Sequence, residues 1–133
     1  MAHVFVTASR EPTPEDVEQR EPFAEVFYGG VYFFLYPAIK RLRDVTGELI
    51  DPQESAYFAG DDLDSFEAFL TETEDSARSQ PSEWQQRVGV LLPGGEVNYQ
   101  RTFRAEVVDL LRGLATALQK AREGRLGVLF WGD

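Results

Sequence analysis

The chain has 133 residues, of which 43% are hydrophobic, and a formal net charge of −10 that arises from 23 acidic and 13 basic residues. This size and apolar content predict one globular domain, residues 1–133, that buries its core without metal or disulfide cross-links. The absence of cysteine excludes disulfides, thiol nucleophiles and cysteine-ligated zinc, and the longest apolar run, residues 31–36, is far shorter than the roughly 20 residues that span a bilayer.

The first thirty residues predict an N-terminal strand followed by a proline-rich loop. Residues 3–7 are apolar and β-branched, which is typical of a strand. Residues 9–22 hold three prolines among polar residues and predict a loop, in which Pro14 would open a short helical turn. No basic segment precedes an apolar stretch as in a signal peptide, so we expect a cytoplasmic protein. The main body follows Gly29-Gly30, over residues 31–133.

A first long helix is predicted to begin at Leu35 or Tyr36, because Pro37 is tolerated only in a first turn. Gly47 is expected to end this helix in the left-handed conformation. Its buried face would consist of apolar residues at helical spacing, namely Leu35, Ala38, Ile39, Leu42 and Val45. Residues 48–60 predict a loop that contains one or two short strands.

A second helix is predicted from Leu63 to Ala77, with Asp61 or Asp62 supplying the N-cap oxygen. The apolar residues expected on its buried side are Leu63, Phe66, Phe69, Leu70 and Ala77. The residues expected on its solvent side are Asp64, Glu67, Thr71, Glu74 and Asp75.

The last third of the chain predicts a hairpin, a long helix and a final strand. Residues 84–92, with Val88, Val90 and Leu92 on one face, and residues 96–103, with Val97 and Tyr99 on one face, would pair through a turn at Pro93-Gly94-Gly95. The helix would run over residues 103–122 and end at Gly124, and residues 126–131 would insert into the sheet. Its apolar positions are Phe103, Val107, Leu110, Leu111, Leu114, Leu118 and Ala121. These elements predict a small α+β domain, with three helices packed on one face of a short mixed or antiparallel sheet.

The residue inventory points away from catalysis, metals and cofactors. His3 is the only histidine and no nucleophile motif accompanies it, which leaves no Ser-His-Asp triad and no HExxH zinc site. Asp62 and Asp64 lack the partners of a phosphatase magnesium site and the spacing of an EF-hand, so helix capping explains them better. We therefore predict no catalytic residue, no metal ligand and no cofactor. An enzyme that uses paired carboxylates stays open, since only their spatial separation would reveal it.

Negative charge is concentrated in residues 61–83, which hold eight carboxylates against Arg78 and so contribute −7 of the −10. Such a surface attracts basic proteins and repels nucleic acid and anionic membranes. The basic residues of the first helix and of the last third of the chain are expected to pair with the chain's own acids or to interact with the dipoles of the first and third helices. Core packing is expected for most of the aromatic segment 32–36. Tyr28, Tyr32 and Tyr36 are the residues expected to reach the surface, where tyrosines are favoured interface anchors. The predicted partner-binding residues are Asp61, Asp62, Asp64, Glu67, Glu74, Asp75, Tyr28, Tyr32 and Tyr36.

Several short motifs are spread over residues 31–133, namely Phe34-Leu35-Tyr36-Pro37, Thr46-Gly47, Ile50-Asp51-Pro52, Trp84 before a strand, and Gly132-Asp133. Together they resemble those of the small immunity-type proteins that bacteria encode beside polymorphic toxins. The resemblance implies a cytoplasmic, non-catalytic protein that neutralises a cognate toxin by direct binding, and it supplies no catalytic residues. A general protein-interaction or adaptor domain is the alternative.

Overall fold

The computed structural model describes residues 1–92 and 94–132. Within them, three long helices and one short helix alternate with six strands. The elements in chain order are β1 (Ala2–Thr7), α1 (Pro14–Glu18), β2 (Ala24–Val26), α2 (Gly30–Thr46), β3 (Ala56–Phe58), α3 (Asp62–Arg78), β4 (Glu83–Leu92), β5 (Glu96–Phe103), α4 (Arg104–Gly124) and β6 (Gly127–Gly132).

The strands form two separate antiparallel sheets, where the sequence predicted one. The first sheet has the order β2-β1-β6-β3, and the second is the β4–β5 hairpin. β6 lies in the middle of the first sheet, and its register with β1 runs from Ala2 opposite Gly132 to Thr7 opposite Gly127. The predicted α+β class and the insertion of the last apolar segment into the sheet are therefore confirmed.

Alternation along β1 and β6 assigns their side chains to two layers. Val4, Val128 and Phe130 are fully buried in the core that the sheet shares with the three long helices. Phe5 and Leu129 face the other way and pack on Val17 of α1. The three long helices therefore pack on one face of the sheet, as predicted, and a fourth, short helix covers the opposite face.

The predicted start of α2 is wrong, because the helix begins at Gly30 and contains Pro37 in its interior. The Gly30 N–H donates to Oε1 of Gln100 at 2.5 Å, and a Cβ on Gly30 would lie only 1.8 Å from Thr102 Oγ1. This close contact with β5 fixes the start of the helix. The predicted end at Gly47 is confirmed, since Gly47 has φ 81° and its N–H donates to the Arg43 carbonyl.

One residue that was predicted on the buried face of α2 is exposed instead. Val45 is 73% exposed, whereas Leu35, Ala38, Ile39 and Leu42 are buried as expected. Val45 lies ten residues after Leu35, which places it about 80° around the helix from that residue and at the edge of the buried stripe.

The other two long helices follow the predicted stripes, with corrections at their ends. In α3 the whole predicted apolar stripe is buried, and Thr73 joins it. In α4 the helix begins at Arg104, because Phe103 is the extended last residue of β5 and is 37% exposed. Gly124 is the last helical residue, and Arg125, with φ 56°, ends the helix in its place.

The hairpin strands have almost the predicted bounds, with Gly94 and Gly95 in the turn at positive φ. Pro93 and the predicted facing of Val90 and Leu92 lie outside the described residues. Val97 and Tyr99 lie on one face as predicted, and both are exposed. Within the described chain, none of the helices combines the length and apolar character needed to cross a bilayer.

Candidate functional site

The acidic residues predicted to bind a partner all lie along the solvent side of α3 or at its start. Asp61 is the N-cap residue and Asp62 follows it half-buried. The Asp61 side chain makes no capping hydrogen bond within the described part of the chain, so the prediction that it supplies the N-cap oxygen is wrong. Asp64, Glu67, Glu74 and Asp75 are exposed, because burial of Phe66, Leu70 and the rest of the apolar stripe turns them outward.

Arg122 of α4 bridges two of these carboxylates. Its Nη1 donates to Glu67 Oε2 at 2.6 Å, and its Nη2 donates to Asp64 Oδ1 at 2.7 Å. The hydrogen bond to Glu67, followed by the attraction of both carboxylates, raises the pKa of Arg122 above its ordinary value. The end of α4 is thereby linked to the first half of α3.

Two further arginines pair with the second half of α3. Arg78 donates to Glu74 at 2.5 Å and lies 3.7 Å from Asp75, and Arg41 of α2 pairs with Glu72. The prediction that basic residues pair with the chain's own acids is thus confirmed for Arg41 and Arg122. We call this region the α3 surface. It consists of the seven carboxylates in residues 61–78 and the three arginines that contact them, and its net charge is −4.

A second acidic region, which the sequence reasoning missed, surrounds α1. Five carboxylates lie within residues 11–21, and none forms an ion pair among the described residues. They are Glu11, Glu15, Asp16, Glu18 and Glu21. Arg20, the one basic residue of this segment, donates instead to the Val6 carbonyl at 2.9 Å. The sequence does indicate this region, since five acidic residues fall within eleven positions. The larger acidic cluster at residues 61–83 drew attention away from it.

The three predicted tyrosines contact one another but differ in exposure. Tyr32 is only 2% exposed and its hydroxyl donates to the Ile50 carbonyl at 2.8 Å, so the prediction that it reaches the surface is wrong. Tyr36 is half-buried, with Lys40 Nζ 5.1 Å from its ring centroid. Tyr28 is 48% exposed, and its ring meets the Tyr32 ring edge-on at 5.4 Å.

Hydrogen bonding and burial shift two of the tyrosine pKa values. The Tyr28 hydroxyl donates to Asp51 Oδ1 at 2.5 Å, and this bond is the main reason that the pKa of Tyr28 is raised to about 12. Burial raises the pKa of Tyr32 above its ordinary value. Both hydroxyls therefore act as hydrogen-bond donors at neutral pH.

The acidic and tyrosine groups do not form one site. Arg41 contacts α3 through Glu72, whereas Tyr36 packs on Tyr32 and Phe33. Residues five positions apart on a helix lie about 140° apart, so Tyr36 and Arg41 occupy different sides of α2. The sequence-predicted set is therefore two surfaces on one domain.

No clustered ligand set is present in the described residues, where no three His, Asp or Glu side chains are grouped so as to hold a metal ion. Asp64 is engaged by Arg122, and His3 lies in β1 with its Nε2 3.6 Å from a Glu25 carboxylate oxygen. The chemistry that this arrangement offers is hydrogen bonding and charge at an exposed surface.

The motifs that resemble immunity-type proteins have structural roles in this fold. Phe34 packs edge-on against Trp84, with ring centroids 5.1 Å apart, and Pro52 is fully buried. A Cβ on Gly132 would lie 2.3 Å from the Glu54 carbonyl oxygen, so this glycine permits a close backbone approach. Asp133 lies outside the described residues.

Comparison with protein-family models, curated proteins and solved structures gave no match.

Proposed function

We propose that this chain is a non-catalytic binding domain that recognises a basic protein through the α3 surface. The observation that carries the proposal is the net charge of −4 that remains after Arg41, Arg78 and Arg122 have paired with their neighbours. Its carboxylates are aligned on a helix that the core holds rigid, and a rigid charged surface accelerates association and selects partners of opposite charge. The same charge disfavours nucleic acid and anionic membranes.

The specific form that we propose is a cytoplasmic immunity protein that binds a cognate toxin and neutralises it. The resemblance carried by Phe34 to Pro37, Ile50 to Pro52 and Trp84 supports this form, as does the acidic surface. A general adaptor domain would use the same surface without a toxin. The two roles differ in gene neighbourhood, since an immunity protein is encoded beside its toxin and protects the cell that produces it.

The test begins by co-expressing this chain with the product of any toxin-like reading frame next to its gene. We expect the two proteins to co-purify, and we expect the chain to restore growth to cells that make the toxin. Absence of such a reading frame, together with capture of an unrelated basic protein, would contradict the immunity role and leave the binding role intact.

Association kinetics then locate the interface. Asp61→Asn with Asp62→Asn removes two carboxylates that have no ion pair among the described residues, so no arginine is released. Arg78→Gln has the opposite sign, because Arg78 pairs only within α3 and its loss changes the surface from −4 to −5. We expect the aspartate variant to associate more slowly and the arginine variant to associate faster, at low salt above all.

A charge-matched control uses the α1 region. Glu15→Gln with Glu18→Gln changes the net charge by the same amount as the aspartate pair but lies away from α3. If this control slows association as much as the aspartate variant does, only total charge matters and α3 is not the interface. Wild-type kinetics for the aspartate variant at both low and physiological salt would also remove α3.

A further inference from the structure

Each sheet ends in a strand whose outer edge pairs with no other described strand. β2 pairs only with β1, and β5 pairs only with β4. An unpaired strand edge presents backbone N–H and C=O groups that another extended segment can bind.

A cleft of about 280 Å³ lies between the two edges. Glu25 and Val26 of β2 line one side, and Arg101 and Thr102 of β5 line the other. Successive residues of a strand point to opposite faces, so each pair shows both faces of its strand. No described residue of β1 or β4 lines the cleft. The cleft therefore lies beside the two edge strands β2 and β5 and away from the strands that they pair with, and residues 27–32, which follow β2, line it as well.

The spacing of the two edges is fixed by the segment that connects β2 to α2. The Gly30 N–H is held by the side chain of Gln100, and a Cβ on Gly29 would lie 2.9 Å from the same oxygen. These contacts attach the end of the β2–α2 connection to β5. The cleft is thus a preformed part of the fold, because its two walls are joined directly.

The charge that is free to act in this cleft is negative. Arg101 already forms an ion pair within the protein, since its Nε donates to Glu83 Oε2 at 2.6 Å. Its guanidinium also lies 5.0 Å from the Phe103 ring centroid. Glu106 of α4 also lines the cleft and makes no ion pair among the described residues. Glu25 is the other carboxylate, and its one ion-pair partner among the described residues is His3, whose Nε2 lies 3.6 Å from Glu25 Oε1.

Exposed aromatic rings stand beside these carboxylates. Phe27 and Tyr28 both line the cleft and are 56% and 48% exposed. Aromatic faces attract the cations of arginine and lysine, and they also pack against apolar side chains. Two carboxylates and two rings around a pair of strand edges match an extended chain that carries basic side chains.

We infer that this cleft binds an extended basic segment of another protein, which adds a strand between β2 and β5 and joins the two sheets. Since β2 has three residues, which span about 10 Å, the paired part of the segment is about three to four residues long. Its basic side chains meet Glu25 and Glu106. None of the α3 carboxylates lines the cleft, so this inference does not rest on the α3 surface.

The test uses a fluorescent, end-blocked pentapeptide of alternating arginine and valine as the probe. Two control peptides are matched to it: one has glutamate in place of arginine, and the other carries N-methyl groups on the amides of one edge. We expect saturable binding of the first peptide by fluorescence anisotropy at physiological salt. N-methylation removes backbone hydrogen bonds and should weaken binding about tenfold or more, and the glutamate peptide should not bind.

Two measurements on the protein locate the binding site. Amide NMR shifts caused by the peptide should be concentrated in residues 24–28 and 99–102. Glu25→Gln with Glu106→Gln should weaken binding about three- to tenfold, as expected for two exposed charge pairs, whereas Glu15→Gln with Glu18→Gln should not. Equal binding of the N-methylated peptide, shifts confined to α3, or absence of saturable binding by the wild-type chain would each overturn the inference.

Discussion

Two alanine substitutions one turn apart on α2 test which side of this helix packs in the core. Helical spacing assigned both Leu42 and Val45 to the buried face, but they are 4% and 73% exposed. Leu42→Ala removes buried methyl groups and leaves a cavity in the main core. We expect it to lower the free energy of unfolding by about 2–5 kcal/mol.

Val45→Ala should have almost no effect, for two opposing reasons. Complete burial of a valine side chain is worth about 1.5–3 kcal/mol, and only about a quarter of this side chain is covered, so truncation loses about 0.5 kcal/mol. Alanine is the better helix former by a similar amount, up to about 0.7 kcal/mol. The two contributions cancel, and the net change should stay within about 0.5 kcal/mol of zero.

Urea denaturation followed by circular dichroism measures both changes. With a urea m-value of about 2 kcal/mol/M, Leu42→Ala should lower the midpoint by about 1–2.5 M at an unchanged slope. The expected result is therefore a large difference between two truncations that the sequence treats alike. A cost above about 1 kcal/mol for Val45→Ala, or below it for Leu42→Ala, would refute the placement of α2.

Three further changes test separate parts of the fold. Leu114, 2% exposed in α4, should lose about 2–5 kcal/mol on replacement by alanine, and an unchanged denaturation midpoint would contradict its place in the core. Gly47→Ala should cost about 1 kcal/mol in the same assay, because φ is 81° and no atom of the described residues lies within 4 Å of the added Cβ, so the loss comes from backbone strain. The pKa of Tyr28 is raised to about 12, while an unfolded tyrosine titrates near 10. Its bond to Asp51 therefore stabilises the fold fully below pH ~10, and this contribution is lost as the pH rises to about 12. Ultraviolet titration of Asp51→Asn should show the Tyr28 pKa moving down towards 10, and an unchanged titration would refute the assignment.

The sequence predicted those parts of the fold that depend on repeating local patterns. The apolar stripe of the 17-residue helix α3 repeats at helical spacing from Leu63 to Ala77 and is buried throughout, and β5 has the bounds that were predicted. The α1 turn was also predicted, since Pro14 follows Thr13, whose hydroxyl accepts from the Asp16 N–H at 3.3 Å. In each case a few neighbouring residues contain the whole signal.

The start of α2 could not be predicted because a distant residue decides it. The position of Pro37 predicted a helix start near Leu35, but the chain is already helical at Gly30. The side chain of Gln100, 70 residues away, accepts a hydrogen bond from the Gly30 N–H. Proline within a helix has a local cost that tertiary contacts can offset. Nothing in residues 29–37 reveals which effect is larger.

The tyrosine assignments failed for a related reason. Tyr32 and Tyr36 are four residues apart and therefore share one side of α2, yet one is buried and the other half-buried. Ile50 lies over the Tyr32 hydroxyl and accepts its hydrogen bond, while Asp51 accepts from Tyr28. The path of that loop across the helix decides which tyrosine reaches the surface, and loop paths have no periodic signal.

The net charge of the acidic segment in the sequence differs from the net charge of the surface that it forms in the folded protein. The segment 61–83 carries −7 as a sequence. The α3 surface leaves out Glu83 and includes Arg41 of α2 and Arg122 of α4, which gives −4, the same charge as residues 11–21 around α1. At physiological ionic strength charges interact over about 8 Å, so the two regions act on a partner separately once it is close. Long-range attraction therefore depends on the whole −10, whereas the choice between the regions depends on contacts. For this reason the salt dependence of the association rate identifies a basic partner, and only charge-matched variants of the two regions identify the surface that it binds.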